Sequence, residues 1–384
     1  MKEPVHYREI LRFCEGQRDW LVETTTALAG LESPTPDKTA VDRCGTELVR
    51  RLRAVGARVE TLRSEATGDH VRATFGTGAS QLLLLGHFDT VWPVGQLARM
   101  PIRHDAGCLY GPGVFDMKAG IAIGMLAVRA LDELGWQLRK RVVMLMTADE
   151  ERGSGSSRDV VEAEARHSDA VCVLEPSLPG GALKTSRKGA GEFELTVRGI
   201  SAHAGLEPEK GSSAISELAV QILAIEALRD HARGVSVNVG LVDGGSRPNV
   251  VPDHARAVID VRASTRDDAQ RIEDAIRALR PERAGTSLQV HGGFSRPPLE
   301  RSQAVADLYG MARSIAAELG HDLAEGSAGG GSDGNLTAAL GIPTLDGLGA
   351  VGDGAHAVHE HVEIAQLSWR AALVAGLIRR LDIS

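Results

Sequence analysis

The chain has 384 residues, 43% of them apolar, and a formal net charge of −8 at pH 7. That apolar content supplies a packed core and argues against wholesale disorder, and the length is long for one domain, so two are expected. Acids and bases are interspersed without a basic stripe to neutralise phosphates, which excludes nucleic acid as the main partner.

The opening segment MKEPVHYREILRFCEG lacks the apolar h-region of a secretory signal. No uninterrupted apolar run approaches the ~20 residues that span a bilayer, so no membrane partner is expected. Cys14, Cys44, Cys108 and Cys172 are scattered without a C-x-x-C pair, and Cys172 lies in AVCVLEP, where a buried, inert thiol is expected. A reduced, cytoplasmic protein fits these features.

TAVDRCGTELVRRLRAVGA carries apolar residues at helical spacing, followed by strand-like RVETL and VRATFG. QLLLLGHFDTV holds four consecutive leucines, too short a run for a helix and suited to a strand buried on both faces. AGIAIGMLAVRALDELG then reads as helix, RVVMLMTA as strand, SSRDVVEAEARH as helix and AVCVLEP as strand. The alternation predicts a doubly wound α/β domain. From about Glu192 the pattern changes. EFELTVRG alternates with period two, GSSAISELAVQILAIEAL is helical, VSVNVGLVDG and ARAVIDVRAS form a strand pair, TRDDAQRIEDAIRAL is helical and SLQVHGGF is a last strand. That order is the ferredoxin-like β-α-β-β-α-β unit. It closes near Arg296-Pro297-Pro298, after which helical QAVADLYGMARSIAAELG and IAQLSWRAALVAGLIRRL restore the α/β pattern. Residues 1–189 and 298–384 are therefore expected to form one domain, with 190–297 inserted as another.

Open α/β sheets bind ligands at the carboxyl ends of their strands, and those ends carry reactive side chains here. RVVMLMTADEERGSGSS runs from strand character into Asp149, Glu150 and Glu151. Adjacent carboxylates repel and raise one another's pKa, a placement that a nearby cation relieves. GHFDTVWP ends its strand with His87-x-Asp89, LYGPGVFDMKAG presents Asp116 before a helix, AVCVLEPS ends in Glu175, and GAHAVHEHVEI supplies His356, His359 and His361. Each fragment alone is weak, since a single strand-end His is more often structural and an acid run is usually a solvated face. Together, two His and three carboxylates are the ligand set of a two-zinc hydrolytic site.

GHFDTVWP, GPGVFDMKAG, TADEERGS, VLEPS, SAHAG and GAHAVHEHV, in that order across nearly the whole chain, closely resemble the blocks of the M20 metallopeptidases. That family includes glutamate carboxypeptidases, aminoacylases and succinyl-diaminopimelate desuccinylases; GHFDTVWPVG and DVR look most like the bacterial glutamate carboxypeptidases. The resemblance implies two Zn2+, with Co2+ or Mn2+ able to use the same ligands. His87, Glu151, Glu175 and His356 would each bind one ion and Asp116 would bridge both, with a cis Asp116–Met117 peptide. Asp89 would accept the imidazole N–H of His87 and fix its tautomer. Glu150 would be the general base, taking a proton from water and passing it to the leaving nitrogen. Asp149 is left with a backbone-capping or helix-supporting role. The family pattern H-x-x-x-E-x-V fits His356, Glu360 and Val362, with His359 in reserve. The remaining histidines, His70 among them, carry no motif and default to structural roles.

The inserted unit would be the family's lid or dimerisation domain. His203, in VRGISAHAGLEP, would act as a catalytic residue by reaching the site of the partner subunit and stabilising the oxyanion. That requires a homodimer, with its contact expected at the lid's sheet edge, and lid closure. Asn249 and Arg262 match positions that contact the substrate's carboxylate or scissile carbonyl; the bland alternative for Arg262 is a surface ion pair. Arg296 would be a substrate-binding hinge residue or a solvated hinge charge. In AGGGSDGN, Gly330 and Gly331 precede a helix whose N–H groups suit a substrate carboxylate, and the missing GxxxxGK[ST] pattern disfavours nucleotide. Arg187 and Lys188, in TSRKGAGEF, depart from the glutamate carboxypeptidases and would bind an acidic side chain or cap the hinge. The expected reaction is release of a C-terminal amino acid, with glutamate a candidate, from an N-acyl or peptidyl substrate. An aminoacylase or dipeptidase with an apolar pocket is the alternative within the family. A non-catalytic ligand-binding relative is the distant one, disfavoured because Glu150 and all the ligand positions are present.

Overall fold

A computed structural model describes residues 7–382; the first six residues of the opening segment and the last two of the chain lie outside it. The chain divides into two compact units, one comprising the sequence up to Thr185, Arg301–Ala328 and Ser332 onward, the other Ser186–Glu300 with Gly329–Gly331. Against the expected 190–297, the smaller unit begins four residues earlier and ends three later, and it takes in three glycines that the sequence assigned to the α/β domain. The physical reason for the glycines is Arg187, whose Nη1 donates to the carbonyl oxygens of Gly330 (3.0 Å) and Gly331 (3.2 Å).

The larger unit is built on a six-stranded sheet in the order Arg58–Leu62, His70–Phe75, Arg141–Thr147, Gln81–His87, Ala170–Val173, Thr344–Leu345. The last four are parallel and the first two antiparallel. Every residue of Gln81–His87 is buried. Leu82 and Leu84 enter the core shared with helices Ala119–Glu133 and Ile364–Asp382, while Leu83 and Leu85 pack on the other face with Val161, Ala165 and Leu336. Each buried leucine contributes about 2 kcal/mol. A strand apolar on both faces has no alternation to fix its register; its polar start does so, because Gln81 Nε2 donates to Glu164 Oε2 (2.9 Å) and Ser168 Oγ (3.1 Å).

Two further contacts set the carboxyl edge of this sheet. A Cβ on Gly120 would lie 2.0 Å from the Leu174 carbonyl oxygen, so only glycine lets the first turn of helix Ala119–Glu133 rest on the chain just before Glu175. Arg370, fully buried in helix Ile364–Asp382, donates to the carbonyls of Gly349 (2.8 Å), Gly181 (2.9 Å) and Gly347. Gly349 in turn donates its N–H to the Glu175 carbonyl at 2.9 Å. Burial pushes the Arg370 guanidinium down to about 9.

The smaller unit has strands Gly189–Arg198, Ser236–Gly244, His254–Ala263 and Ser287–Arg296 with helices Ala214–Glu226 and Arg266–Arg277. Its antiparallel sheet runs Ser236–Gly244, His254–Ala263, Gly189–Arg198, Ser287–Arg296, which is the ferredoxin-like arrangement. Phe193, Leu195, Ile259, Val261, Ile272 and Ile276 belong to its core. Ser213 and Thr265 cap the two helices through the N–H groups of Ser216 and Asp268.

Within this unit the buried Glu217 carboxylate accepts from Gln221 Nε2 (2.7 Å) and the backbone N–H groups of Glu282 (3.1 Å) and Arg283 (2.7 Å). Burial alone would raise its pKa, yet these bonds hold the carboxyl below its ordinary value. A carboxyl depressed on folding stabilises above its unfolded pKa and loses that contribution as pH falls through the folded one. Glu217→Gln is therefore expected to destabilise the protein by roughly 1–3 kcal/mol at neutral pH. The gap to wild type should narrow below about pH 4, read by urea unfolding across pH; a gap independent of pH would contradict this account.

Candidate metal centre and active site

Parallel pairing places His87 opposite Thr147 and Leu85 opposite Val173, so the chain leaves three adjacent strands at one edge. The segments beyond carry Asp89, Glu150, Glu151 and Glu175 to that edge. His87 Nε2 lies 3.1 Å from Asp116 Oδ1 and 3.4 Å from Glu175 Oε1. His356 Nε2 lies 3.1 Å from Glu151 Oε2 and 3.4 Å from Asp116 Oδ2. Asp116 thus turns one oxygen to each imidazole. Ligand atoms of His87, Asp116 and Glu151 fall within 4.8 Å of one another, as do those of His87, Glu150 and Glu175. Carboxylates and imidazoles crowded this closely, with Asp116 turning one oxygen to each imidazole, suit divalent cations.

The charges within the cluster act on one another in the same sense. Burial alone would lower His87, but Asp116, Asp89 and Glu175 hold it well above its ordinary value. Burial would raise Asp116, but His356 and His87 pull it far below the usual carboxylate range. Asp116, and then Glu151, lift His356 to about 10, while burial raises Glu151. Metal-free, the cluster therefore holds protons that a cation must displace. His356 also has φ 61°, a left-handed conformation uncommon outside glycine and characteristic of functional sites. The Asp116–Met117 peptide is cis.

Asp89 is engaged more fully than the sequence suggested. Fully buried, it accepts from Thr35 Oγ1 (2.7 Å) and from the backbone N–H groups of Glu150 (3.3 Å) and Glu151 (3.2 Å). His87 Nδ1 lies 3.1 Å from the backbone carbonyl of Asp89 and 3.4 Å from its Oδ1. The carbonyl is thus the nearer of the two Asp89 acceptors. In the neutral ring either acceptor puts the proton on Nδ1 and leaves the Nε2 lone pair facing Asp116 and Glu175. Asp149 does not face the cluster: its Oδ2 accepts from Ser156 N (2.7 Å), Ser156 Oγ (2.8 Å) and Ser157 N (3.2 Å), just before helix Arg158–Arg166. His359 faces Asp353 at 4.0 Å, and His356 alone of the two meets the carboxylates.

Sequence reasoning missed two supporting residues. Glu360, with no exposed surface, accepts the N–H groups of Gly113 (2.9 Å), Phe115 (2.9 Å) and Asp116 (3.1 Å) and the Trp92 indole (2.8 Å). It shapes the loop that delivers Asp116; the signal was its place in the histidine pattern. His70 Nδ1 accepts the Ala148 N–H at 3.1 Å and its Nε2 faces Ser156 Oγ at 3.2 Å. A lone histidine without a motif gave no such signal.

In the smaller unit, His203 is exposed and its Nδ1 accepts the N–H groups of Gly205 and Leu206, both at 3.1 Å. In the neutral ring the proton then sits on Nε2, making it an outward donor. The Asn249 carbonyl accepts the Ala204 N–H at 3.0 Å, which ties that segment to the His203 turn. Arg262 forms a two-point pair with Asp260 on its own strand (3.0 and 2.7 Å), the bland alternative of the sequence reading. Arg296 is buried rather than solvated. The carbonyls of Gly330 and Gly331 accept from Arg187 Nη1.

Fold and donor set together define an α/β metallohydrolase with an inserted ferredoxin-like domain. The family model of peptidase family M20/M25/M40 matches residues 83–380, and the chain belongs to that family. It is 29% identical over 371 residues to carboxypeptidase G2 of Pseudomonas sp. (strain RS-16), covering 94% of this chain and 89% of the relative. Succinyl-diaminopimelate desuccinylase of Xanthomonas oryzae pv. oryzae (strain PXO99A) is 31% identical over 384 residues, covering 94% and 98%. Aminopeptidase PepT from Bacillus cereus ATCC 10987 shares the fold, with a TM-score of 0.76 at 21% identity over 95% of this chain and 98% of that one. The protein is a metal-dependent hydrolytic enzyme of this family.

Glu360→Ala should weaken metal binding about 10–100-fold, as loss of a ligand-orienting group does, in competition with a chromogenic chelator. Unchanged affinity in a folded variant would show that the Asp116 loop holds itself. Metal uptake at pH 8 should release protons, measurable by calorimetry in buffers of different ionisation enthalpy, and affinity should fall as pH is lowered, because protonated His356 and His87 compete with the cation.

Proposed function

We propose that the enzyme uses two zinc ions to hydrolyse an amide and release the C-terminal amino acid of an N-acyl or peptidyl substrate, glutamate being the first residue to test. The observation that carries this reading is Asp116 set between His87 and His356, with Glu150 and Glu151 adjacent in one turn. His87, Asp116, Glu151, Glu175 and His356 would hold the ions; cobalt or manganese suits the same donors. Bound divalent ions polarise a carbonyl and make water acidic enough to attack near neutral pH.

Glu150 takes the proton of the attacking water on its carboxylate and delivers it to the leaving nitrogen. Asp89 keeps Glu150 and Glu151 in place through their N–H groups. His203, with Nδ1 tied to backbone, offers Nε2–H to the developing oxyanion. Asn249, Arg296 and the Gly330–Gly331 segment serve the substrate's carboxylate side, and Arg262 joins them by exchanging its Asp260 pair for the substrate. One relative is named for carboxypeptidase action and another for removing a succinyl group; an N-acyl or peptidyl amide accommodates both.

The working form is a cytoplasmic homodimer joined through the smaller unit, so that His203 of one protomer serves its partner's site. Edge strand Ser236–Gly244 supports this, with Leu241 62% and Val242 59% exposed, since an apolar edge strand pairs readily. No nucleic acid or membrane partner is invoked; among the described residues no helix is long and apolar enough to cross a membrane.

Amino-acid release from a panel of N-acyl amino acids and dipeptides by the zinc-loaded enzyme tests the reaction. Glu150→Gln should retain metal and lose roughly 10²–10⁴-fold in kcat, and the residue released identifies the side-chain pocket. Release of nothing by metal-loaded wild type would overturn the proposed substrate class. Leu241→Asp with Val242→Lys should yield monomers by light scattering and abolish turnover; an active monomer would refute the role of His203 across the dimer.

A further inference from the structure

One face of the larger unit's sheet is unevenly covered. Helix Arg158–Arg166 packs Val161 and Ala165 on the middle strands, but of the antiparallel edge pair only Leu62 joins that apolar layer. Arg72 reaches the helix instead, with Nη1 2.5 Å from Glu164 Oε1 and Nη2 2.6 Å from Glu60 Oε2. Above the strands here lies a cavity of about 470 Å³, lined by these side chains together with Arg58, Thr74, Arg141 and Val143.

The charge in this cavity is unbalanced. Three guanidinium groups meet two carboxylates, and Arg72 engages both carboxylates. Among the described residues Arg58 and Arg141 enter no ion pair or side-chain hydrogen bond, and Arg141 Nε is buried without an acceptor. A buried N–H without a partner is rare in folded proteins and calls for a group that supplies one. In a chain of net charge −8, two guanidinium groups left free beside a concave surface select for anions.

Register gives the spacing. Arg58 pairs with Thr74 and Thr74 with Val143, while Arg141 lies two residues before Val143 on the same strand face. Two inter-strand steps and two residues of rise separate the Cα atoms of Arg58 and Arg141 by about 12 Å. That gap is spanned by two arginine side chains and a few carbon atoms between two acids. The cavity is at the amino end of Arg141–Thr147, about 20 Å of strand away from the metal cluster at its carboxyl end.

We infer that this cavity is a second binding site, separate from the metal centre, for a small molecule bearing two acidic groups on a short apolar chain. Arg58 takes one acid and Arg141 the other, while Thr74 and Val143 contact the chain between them. The site is independent of which amide the metal centre cleaves.

The test uses the full-length, metal-loaded enzyme with labelled valine methyl groups, titrated with glutarate and, separately, with inorganic phosphate. Val143 lines the cavity with its side chain on the same sheet face as Val161 and reports it directly, whereas a dicarboxylate at the metal centre moves other signals and Val59, packed in the core on the opposite face, serves as a control. Saturable shifts of Val143 with glutarate are expected. Arg141→Gln and Arg58→Gln should each weaken them by about tenfold or more, and Arg8→Gln, an exposed charge elsewhere, should leave them unchanged. Because Arg58 is exposed on an edge strand, its variant keeps the test valid if Arg141→Gln fails to fold. Absence of saturation with glutarate, or equal weakening by Arg8→Gln, would overturn the site. Phosphate binding as tight as glutarate would overturn the two-acid ligand in favour of a compact single anion.

Discussion

The structure depends on one electrostatic constraint, the gathering of several carboxylates at the carboxyl edge of a parallel sheet. Strands in parallel register end together, so residues one or two places beyond each end are neighbours whatever their separation in sequence. Carboxylates brought together in a buried place repel, and the fold must hold them until a cation balances the charge. Asp116 turned between His87 and His356 is the clearest expression of that arrangement.

Much of the surrounding structure serves to aim these groups. Glu360 gathers three backbone N–H groups behind Asp116, and Asp89 gathers those of Glu150 and Glu151. Asp149, the third acid of its run, faces the other way and caps the segment leading into the next helix. Gly120 and Arg370 act on the Glu175 side, the first by allowing close approach to Leu174 and the second by satisfying carbonyls of the neighbouring loops. Acids that look interchangeable in sequence thus divide into those facing the cation site and those binding backbone.

The smaller unit applies a different principle. Its antiparallel sheet covers its core with helices on one side and leaves an edge strand with exposed leucine and valine. His203 has its tautomer set by two local N–H donors rather than by a distant carboxylate, so its outward donor is prepared within a single turn. In the larger unit, by contrast, His87 adds Asp116 and Glu175 to its local bond with the Asp89 carbonyl, and His356 faces Glu151, 205 residues away.

The sequence by itself determined the element types, the ferredoxin-like order β-α-β-β-α-β, the burial of the leucine strand on both faces and the strand-end residues that form the cluster. These follow from periodicity and from position relative to a strand end, both local properties of the chain. Tertiary structure alone decided that Asp89 carries the Glu150 and Glu151 N–H groups, that Glu360 and His70 support the site, and that Arg262 pairs with Asp260. It also assigned Gly329–Gly331 to the smaller unit and, among the described residues, left Arg58 and Arg141 without carboxylate partners. The reason is the range of the interactions: His356 and Glu151 are 205 residues apart, and Trp92 and Glu360 are 268 apart. No repeat or spacing within either segment encodes which partner will arrive, because that choice is made only when the strands are in register and the loops have closed over their ends.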